Sequence, residues 1–147
     1  MTVADTNRFR ILLVEDDPAD AGLVKRAMRE SRLLCQVEHV RDGVEALAYL
    51  RQEGEAYAGS ARPDLVLLDL NMPRMDGREV LRLMKGDDDL RRIPVVVLTT
   101  SDVERDIEAS YGLGANSFVT KPMDVNDFFA VIRQIETYWF QVVKLAR

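Results

Sequence analysis

The segment Pro63-Asp-Leu-Val-Leu-Leu-Asp69-Leu-Asn-Met-Pro-Arg-Met-Asp-Gly77 carries the clearest structural signal in the sequence. Four aliphatic residues in a row separate Asp64 from Asp69, so both faces of this part are apolar. Such a segment is typical of a parallel strand that helices cover on both sides of its sheet. Asp76 and Gly77 then open a helical pattern. The segment therefore predicts a buried strand that ends at an aspartate and leads through a loop into a helix.

Short aliphatic strands and helical patterns alternate on both sides of this segment. Four further strands are predicted over residues 10–14, 35–40, 94–98 and 117–120. Helical spacing of apolar residues follows each strand, and the last helix begins near residue 124 and is extended. This alternation implies right-handed crossovers, so we predict an α/β fold: a doubly wound, five-stranded parallel sheet flanked by five helices. Residues 51–62 lack a sustained period and are expected to form a helix end and a mobile loop.

Length and composition limit the classes of protein that fit. The chain has 147 residues, 47% hydrophobic and 31% charged, as expected for a single domain over residues 1–147. Its 20 basic and 25 acidic residues give a net charge of −5, which disfavours nucleic acid as a partner. The sequence has one cysteine and no signal-peptide pattern, and no apolar run approaches the ~20 residues of a membrane span. These features predict a cytoplasmic protein without membrane contact.

Polar residues stand at the carboxyl ends of the predicted strands, where doubly wound proteins place their chemistry. In chain order they are Glu15, Asp16, Asp17, Asp69, Thr99, Thr100 and Lys121, which Pro122 follows. Each of them alone has an ordinary interpretation, because acids after strands cap helices and lysines are usually solvated. Together they would bring carboxylates, hydroxyls and an amine to one rim of the sheet.

The chemistry of this rim points to phosphoryl transfer. A carboxylate at the end of a buried strand, such as Asp69, needs a cation or hydrogen bonds to offset its desolvation. Mg²⁺ meets this need, since it prefers an octahedron of oxygens and takes one or two carboxylates, a backbone carbonyl and waters. Lys121 and Thr99 then remain to bind the oxygens of an anion. A metal, a carboxylate nucleophile, an amine and a hydroxyl together predict a phosphoryl-transfer site.

The sequence resembles the receiver domains of two-component response regulators over nearly its whole length. The resemblance rests on the acidic pair, residues 69–77, Thr99, and Phe-Val-Thr-Lys-Pro at residues 118–122. It implies that Asp69 is the phosphoacceptor and that the cofactor is Mg²⁺ or Mn²⁺. Asp16 would bind the ion directly, Glu15 through water and Asn71 by its backbone carbonyl. Which acids of residues 15–17 touch the ion stays open, and Asp17 has a second interpretation as a helix cap.

The same resemblance assigns roles on the phosphate side of the site. Thr99 would be the switch hydroxyl and Lys121 the counter-charge of the phosphate, and both are expected to affect signalling more than stability. Thr100 is a further candidate, and a cis peptide bond is expected before Pro122. Phe118 stands where the family places a rotating aromatic residue, and its alternative role is that of a core side chain.

The resemblance implies a stand-alone response regulator that accepts a phosphoryl group from a sensor histidine kinase. Phosphorylation would change the face built from the fourth helix, the fifth strand and the fifth helix. The insertion before Pro63, residues 78–81, residues 93–101 and residues 135–140 are similar to regulators paired with bacterial phytochrome kinases. His39 would be structural, with the phosphodonor histidine on the partner.

Other functions stay open from the residues. A phosphatase of the haloacid dehalogenase type needs an acid where this sequence has Asn71, so we expect only self-directed phosphotransfer and autodephosphorylation rather than an enzyme. A non-phosphorylated adaptor would be expected to lack one of Asp16, Asp69, Thr99 and Lys121, and all four are present. The remaining alternatives are a phosphorelay intermediate and a phosphate sink.

The last helix carries more apolar surface than one buried stripe requires. The stripe consists of Phe128, Val131, Ile132, Ile135, Trp139 and Val142. Its flanks add Phe129, Tyr138, Phe140, Val143 and Leu145. Because exposed aromatic side chains favour burial in a partner, we predict a homodimer through this helix. The alternative is that the helix end folds back onto its own domain.

Overall fold

The structure is a computed structural model that describes residues 9–31, 35–100, 104–142 and 144–145. Its five strands form one sheet in which all neighbouring strands are parallel. The strands are β1 (Phe9–Val14), β2 (Cys35–Val40), β3 (Leu65–Leu68), β4 (Val95–Thr99) and β5 (Ser117–Thr120). They lie in the order β2-β1-β3-β4-β5, which confirms the predicted doubly wound sheet.

Within the described residues, the five predicted helices are present and a short sixth helix accompanies them. The helices are α1 (Pro18–Arg29), α2 (Gly43–Leu50), α3 (Gly54–Tyr57), α4 (Gly77–Lys85), α5 (Glu104–Gly112) and α6 (Val125–Thr137). A 3-10 turn over Leu90–Arg92 precedes β4, and a π-helical turn over Tyr138–Val142 follows α6. Across the described part of the chain, every helix is too short or too polar to traverse a lipid bilayer.

Helices cover both faces of the sheet, because alternate residues of its central strands point to opposite sides. Leu12 and Val66 belong to the core layer beneath α2 and α4. Leu13 and Leu67 belong to the second layer, which α1 and α6 cover. All four of these leucine and valine side chains are almost completely buried, as their uninterrupted apolar runs predict.

The strand order places the ends of β1 and β3 at the centre of one rim. The chain leaves β1 toward β2 on one side, whereas β3 lies on the other side of β1. This reversal is a topological switch point, where a crevice opens beyond the carboxyl ends of the strands. Aspartate N-caps start four helices close to this rim, and each accepts a hydrogen bond from a first-turn backbone N–H: Asp17, Asp42, Asp76 and Asp124.

Residues 51–62, expected to form a helix end and a mobile loop, contain the short helix α3, which the sequence does not predict. The Tyr49 hydroxyl donates a hydrogen bond to the carbonyl of Ala61 at 3.2 Å. The Ser60 hydroxyl donates to the carbonyl of Tyr49 at 3.1 Å, and the Tyr57 ring packs edge-on against the Tyr49 ring. These contacts anchor the insertion to α2. They have no periodic spacing, and hydrophobic patterns therefore do not reveal them.

The C-terminal segment also corrects an expectation. Helix α6 starts after Asp124 as predicted, but the turn that follows it is π-helical, so the angular spacing of an α-helix does not apply beyond Thr137. Phe140 consequently turns back onto its own domain and stacks on Phe9, with ring centroids 4.4 Å apart. Its predicted exposure was wrong, since only 8% of the residue is accessible. Tyr138, by contrast, is exposed.

Candidate functional site

Three acids come together at the switch point. The Glu15 N–H donates to the carbonyl of Val40 at 3.1 Å, and the Asp69 N–H donates to the carbonyl of Val14 at 3.0 Å. These backbone bonds hold the first residues after β1 and β3 side by side. Glu15, Asp16 and Asp69 each offer a carboxylate oxygen, and these oxygens all lie within 4.8 Å of one another. Glu15 and Asp69 are buried, whereas Asp16 is exposed to solvent.

A buried lysine faces this acidic cluster. Lys121 follows β5, and its backbone N–H donates to the carbonyl of Thr99 at 2.7 Å. Its Nζ atom forms an ion pair with Glu15, lies 2.9 Å from Asp20 Oδ2 and lies 3.5 Å from Asp69 Oδ2. Burial by itself lowers the pKa of Lys121, but the surrounding carboxylates outweigh burial and hold the pKa above its ordinary range. The ammonium therefore stays charged.

Burial makes it costly for the buried carboxyls of the site to be charged. Burial is the largest influence on Glu15, and together with the nearby Asp69 it outweighs Lys121 and raises the pKa of this carboxyl to about 8. The site contains other acids and only one contacting lysine among the described residues. A divalent cation would supply the positive charge that this acidic site lacks, since metal ligands must be deprotonated. An all-oxygen donor set of this kind suits Mg²⁺ or Mn²⁺.

The loop after β3 is packed tightly against the start of α4. The Gly77 N–H donates to the carbonyl of Leu70 at 2.8 Å. A Cβ atom at Gly77 would lie 2.2 Å from the backbone oxygen of Asp69, so only glycine allows this approach. The Asn71 N–H points to Asp69 Oδ1 at 3.5 Å, a long contact within the same loop. The close packing fixes the backbone of Asp69.

The hydroxyl and aromatic candidates lie on the two strands beyond β3. Thr99 is the last residue of β4 and is fully buried, whereas Thr100 is exposed. Phe118 lies on β5 opposite Val97 of β4 and packs against the core layer beneath α4. Its backbone N–H donates to the Tyr111 hydroxyl at 3.2 Å. Phe118 is half-buried, so it lies against the core layer without being one of its buried members.

Three expectations about individual residues can be compared with the structure. Asp17 accepts a hydrogen bond from the Ala19 N–H at 2.8 Å, so it caps α1, and it is not part of the three-acid cluster. The cis peptide bond predicted before Pro122 was wrong, because no cis peptide occurs among the residues that the structure describes. The trans form is the lower-energy state of such bonds, by roughly 0.5–1 kcal/mol. His39 Nε2 lies 2.8 Å from the Glu15 carbonyl, a backbone contact that suits a structural residue.

Sequence reasoning missed one contact of the site. Asp20 lies in the first turn of α1, 101 positions before Lys121, and its carboxylate reaches Lys121 Nζ. The only local signal is an acid in the first turn of a helix, which is common because the helix dipole favours it there. The position of Asp20 therefore indicated a helix start rather than a contact with the site.

The order of the parallel strands, the acidic crevice and the buried lysine agree with the receiver fold that the sequence resembles. The chain belongs to the response regulator receiver domain family, which matches residues 11–133. It is 49% identical over 135 residues to the response regulator Rcp1 of Synechocystis sp., covering 92% of this chain and 91% of Rcp1.

Two solved structures of such regulators superpose closely on this protein. The phosphorylated cyanobacterial phytochrome response regulator RcpA gives a TM-score of 0.92 at 49% identity, covering 95% of this chain and 99% of RcpA. The Mn²⁺-bound form of Rcp1 gives a TM-score of 0.90 at 47% identity, covering 95% of this chain and 99% of Rcp1. The protein is therefore a response regulator related to phytochrome-associated regulators, with an acidic cluster compatible with a divalent metal.

Proposed function

We propose that this protein is a stand-alone response regulator, a single receiver domain over residues 1–147, with Asp69 as its phosphoacceptor. The observation that carries the proposal is the contact of buried Lys121 with the carboxylates of Asp69 and Glu15 at the switch point. It puts a positive charge beside the nucleophile, where the oxygens of a phosphoryl group would need it. Family membership of the chain supports the same role.

The phosphoryl group moves from a phosphohistidine of the kinase to Asp69. A carboxylate oxygen of Asp69 forms the new bond to phosphorus, the phosphorus–nitrogen bond breaks, and its electron pair returns to the imidazole. Lys121 donates hydrogen bonds to the phosphoryl oxygens, and the Thr99 hydroxyl donates from the end of β4. In autodephosphorylation, water attacks phosphorus and the Asp69 carboxylate leaves, which releases inorganic phosphate.

A divalent ion belongs to this chemistry. Glu15, Asp16 and Asp69 would hold it through carboxylate oxygens or bridging water, and Asn71 would add its backbone carbonyl. When bound, Mg²⁺ or Mn²⁺ neutralises the negative charge that builds up on the transferring phosphoryl group. Asp17 caps α1 and Thr100 is exposed, so we give neither a direct role.

Phosphorylation then changes the surface. The acyl phosphate draws the Thr99 hydroxyl inward, and Phe118 turns into the space that Thr99 leaves. Both residues lie on neighbouring strands, with Thr99 opposite Thr120 and Phe118 opposite Val97. The face formed by α5, β5 and α6 is therefore the proposed binding surface for partners.

The proposed phosphodonor is a sensor histidine kinase of the bacteriophytochrome class, by analogy with the phytochrome response regulator RcpA. When the protein is mixed with a phytochrome kinase that carries a labelled phosphoryl group, that group should move to this protein within minutes in Mg²⁺. The transfer should be much slower in excess chelator. Kinases of other sensor classes should transfer the label more slowly. Equal transfer from all kinases would remove the phytochrome assignment and leave the receiver function intact.

The proposed site of action is the cytoplasm, with a protein rather than nucleic acid or a membrane as partner.

We also propose a homodimer through the C-terminal segment. Phe140 is buried in its own domain and no longer supports this dimer, whereas Tyr138 is exposed and does. Exposed Tyr138 borders a cavity of about 210 Å³ that Val119 and Val131 also line, along the edge strand β5. Light scattering after size exclusion tests the dimer, and a monomer at tens of micromolar would contradict it.

A further inference from the structure

Asp20 contacts Lys121 but is not among the residues on which the resemblance to receiver domains rests. Its Oδ2 atom lies 2.9 Å from Lys121 Nζ, closer than the 3.5 Å between Nζ and Asp69 Oδ2. The Asp20 side chain is 24% exposed and therefore partly hydrated, whereas the side chain of Lys121 is 4% exposed. Asp20 is also outside the three-acid cluster that could hold a metal.

The start of α1 fixes the position of Asp20. The Asp17 side chain accepts hydrogen bonds from the backbone N–H groups of Ala19 and Asp20, at 2.8 and 3.3 Å. The next residue, Ala21, is buried in the core layer beneath α1. Capping and burial thus hold the first turn of the helix in place, with the Asp20 carboxylate directed at Lys121.

We propose that Asp20 is a positioning residue that restrains the Lys121 ammonium and thereby weakens the binding of anionic phosphodonors at Asp69. The inference rests on the proposed role of Asp69 as phosphoacceptor. It concerns a residue that acts through Lys121 and does not touch the phosphoryl group itself.

The number of hydrogen bonds supports this role. A lysine ammonium has three N–H donors, and three carboxylates surround Lys121: Glu15, Asp20 and Asp69. A metal ion and the incoming phosphoryl group would change the contacts of Glu15 and Asp69, which belong to the three-acid cluster. Asp20 lies outside that cluster, and it accepts its own hydrogen bond from Lys121. One N–H group of Lys121 is therefore held away from the phosphoryl oxygens. The Asp20 carboxylate also adds one negative charge near the incoming phosphodonor.

Removal of Asp20 should strengthen donor binding more than it changes the transfer step. In Asp20→Ala the half-saturating concentration of acetyl phosphate should fall by roughly threefold or more, because Lys121 gains a free N–H and the site loses a negative charge. Asp20→Asn keeps an acceptor oxygen without the charge, so its half-saturating concentration should lie between those of wild type and Asp20→Ala. The maximal rate should change less than the half-saturating concentration in both variants.

The test is a set of phosphorylation time courses over a range of acetyl phosphate concentrations in Mg²⁺, read by intact mass. Asp127→Asn is the matched control, because Asp127 is an exposed acid in the first turn of α6 and carries the same charge. The isosteric Asp20→Asn carries the test if Asp20→Ala does not fold. A lower half-saturating concentration in the Asp20 variants alone supports the proposal.

Three results would overturn it. The first is an unchanged half-saturating concentration in both Asp20 variants. The second is an equal decrease in Asp127→Asn, which indicates a general charge effect. The third is a lower maximal rate without a change in half-saturation, because Asp20 would then promote transfer. Labelling of Asp69→Asn at the wild-type level would instead refute the proposed phosphoacceptor, so the two failures are distinguishable.

Discussion

Replacing Lys121 by methionine should destabilise the protein strongly when no divalent ion is present. The Lys121 side chain is 4% exposed and faces Glu15, which is 3% exposed, and Asp69, which is 8% exposed. Removing one partner of a buried ion pair costs about 3–5 kcal/mol, because the remaining charge is buried without compensation. Two features reduce this cost. Asp20 stays partly hydrated, and Glu15, with a pKa of about 8, can hold a proton.

We therefore expect Lys121→Met to lower the free energy of unfolding by about 2–3 kcal/mol in chelator at neutral pH. This differs from the small effect that the rim position of Lys121 suggests in the sequence, because burial is visible only in the fold. Mg²⁺ should restore part of the loss, since a cation at Glu15 and Asp69 replaces the missing positive charge. The variant should remain folded, because domains of this size have stabilities of about 5–15 kcal/mol.

Urea unfolding followed by far-UV circular dichroism measures the effect. Lys144→Met is the matched control, because Lys144 is exposed and its replacement should change stability by less than about 0.5 kcal/mol. A loss below about 0.5 kcal/mol for Lys121→Met would show that Lys121 does not compensate buried charge. A loss that Mg²⁺ leaves unchanged would show that the same carboxylates do not bind the ion.

Gly77→Ala should cost about 1–3 kcal/mol in urea unfolding and slow phosphorylation, because its Cβ would lie 2.2 Å from the Asp69 backbone oxygen. Gly22→Ala is its control, since a Cβ there meets nothing within 4 Å, and it should stabilise α1 by about 0.5–1 kcal/mol. Burial raises the pKa of Glu136 above its ordinary value of 4.5, so wild type should lose stability as the pH rises from that value through the folded-state pKa. Glu136→Gln should therefore be more stable than wild type at neutral pH and equal to it near pH ~4; a gain that does not depend on pH would contradict this. Phe140→Ala should lower the thermal midpoint by removing the stack on Phe9, and a change in dimerisation alone would contradict the folded-back position.

The sheet and most of the rim could be predicted because their signals are local. The four aliphatic residues before Asp69 identify β3 and the end at which its chemistry lies, and the structure has β3 over Leu65–Leu68. The aspartate caps likewise mark the helix starts at Asp17 and Asp124. Alternation of strands and helices then determines the doubly wound fold, because few topologies satisfy it.

The remaining features depend on contacts between distant parts of the chain. Asp20 and Lys121 are 101 positions apart, and nothing near either residue indicates their ion pair. The stacking of Phe140 on Phe9 was missed because a π-helical turn changes the direction of side chains after Thr137. The anchored insertion around α3 was missed because hydrogen bonds to Tyr49 have no sequence period.

The most direct test of the account is the site of phosphorylation. Wild type, Asp69→Asn and Asp76→Asn are treated with acetyl phosphate and Mg²⁺, and intact mass gives the number of phosphoryl groups. Asp76 is the matched control, because it lies in the same loop, and asparagine can replace it as the cap of α4. We expect one phosphoryl group on wild type and Asp76→Asn, and none on Asp69→Asn or in excess chelator. Equal modification of Asp69→Asn and wild type would contradict it.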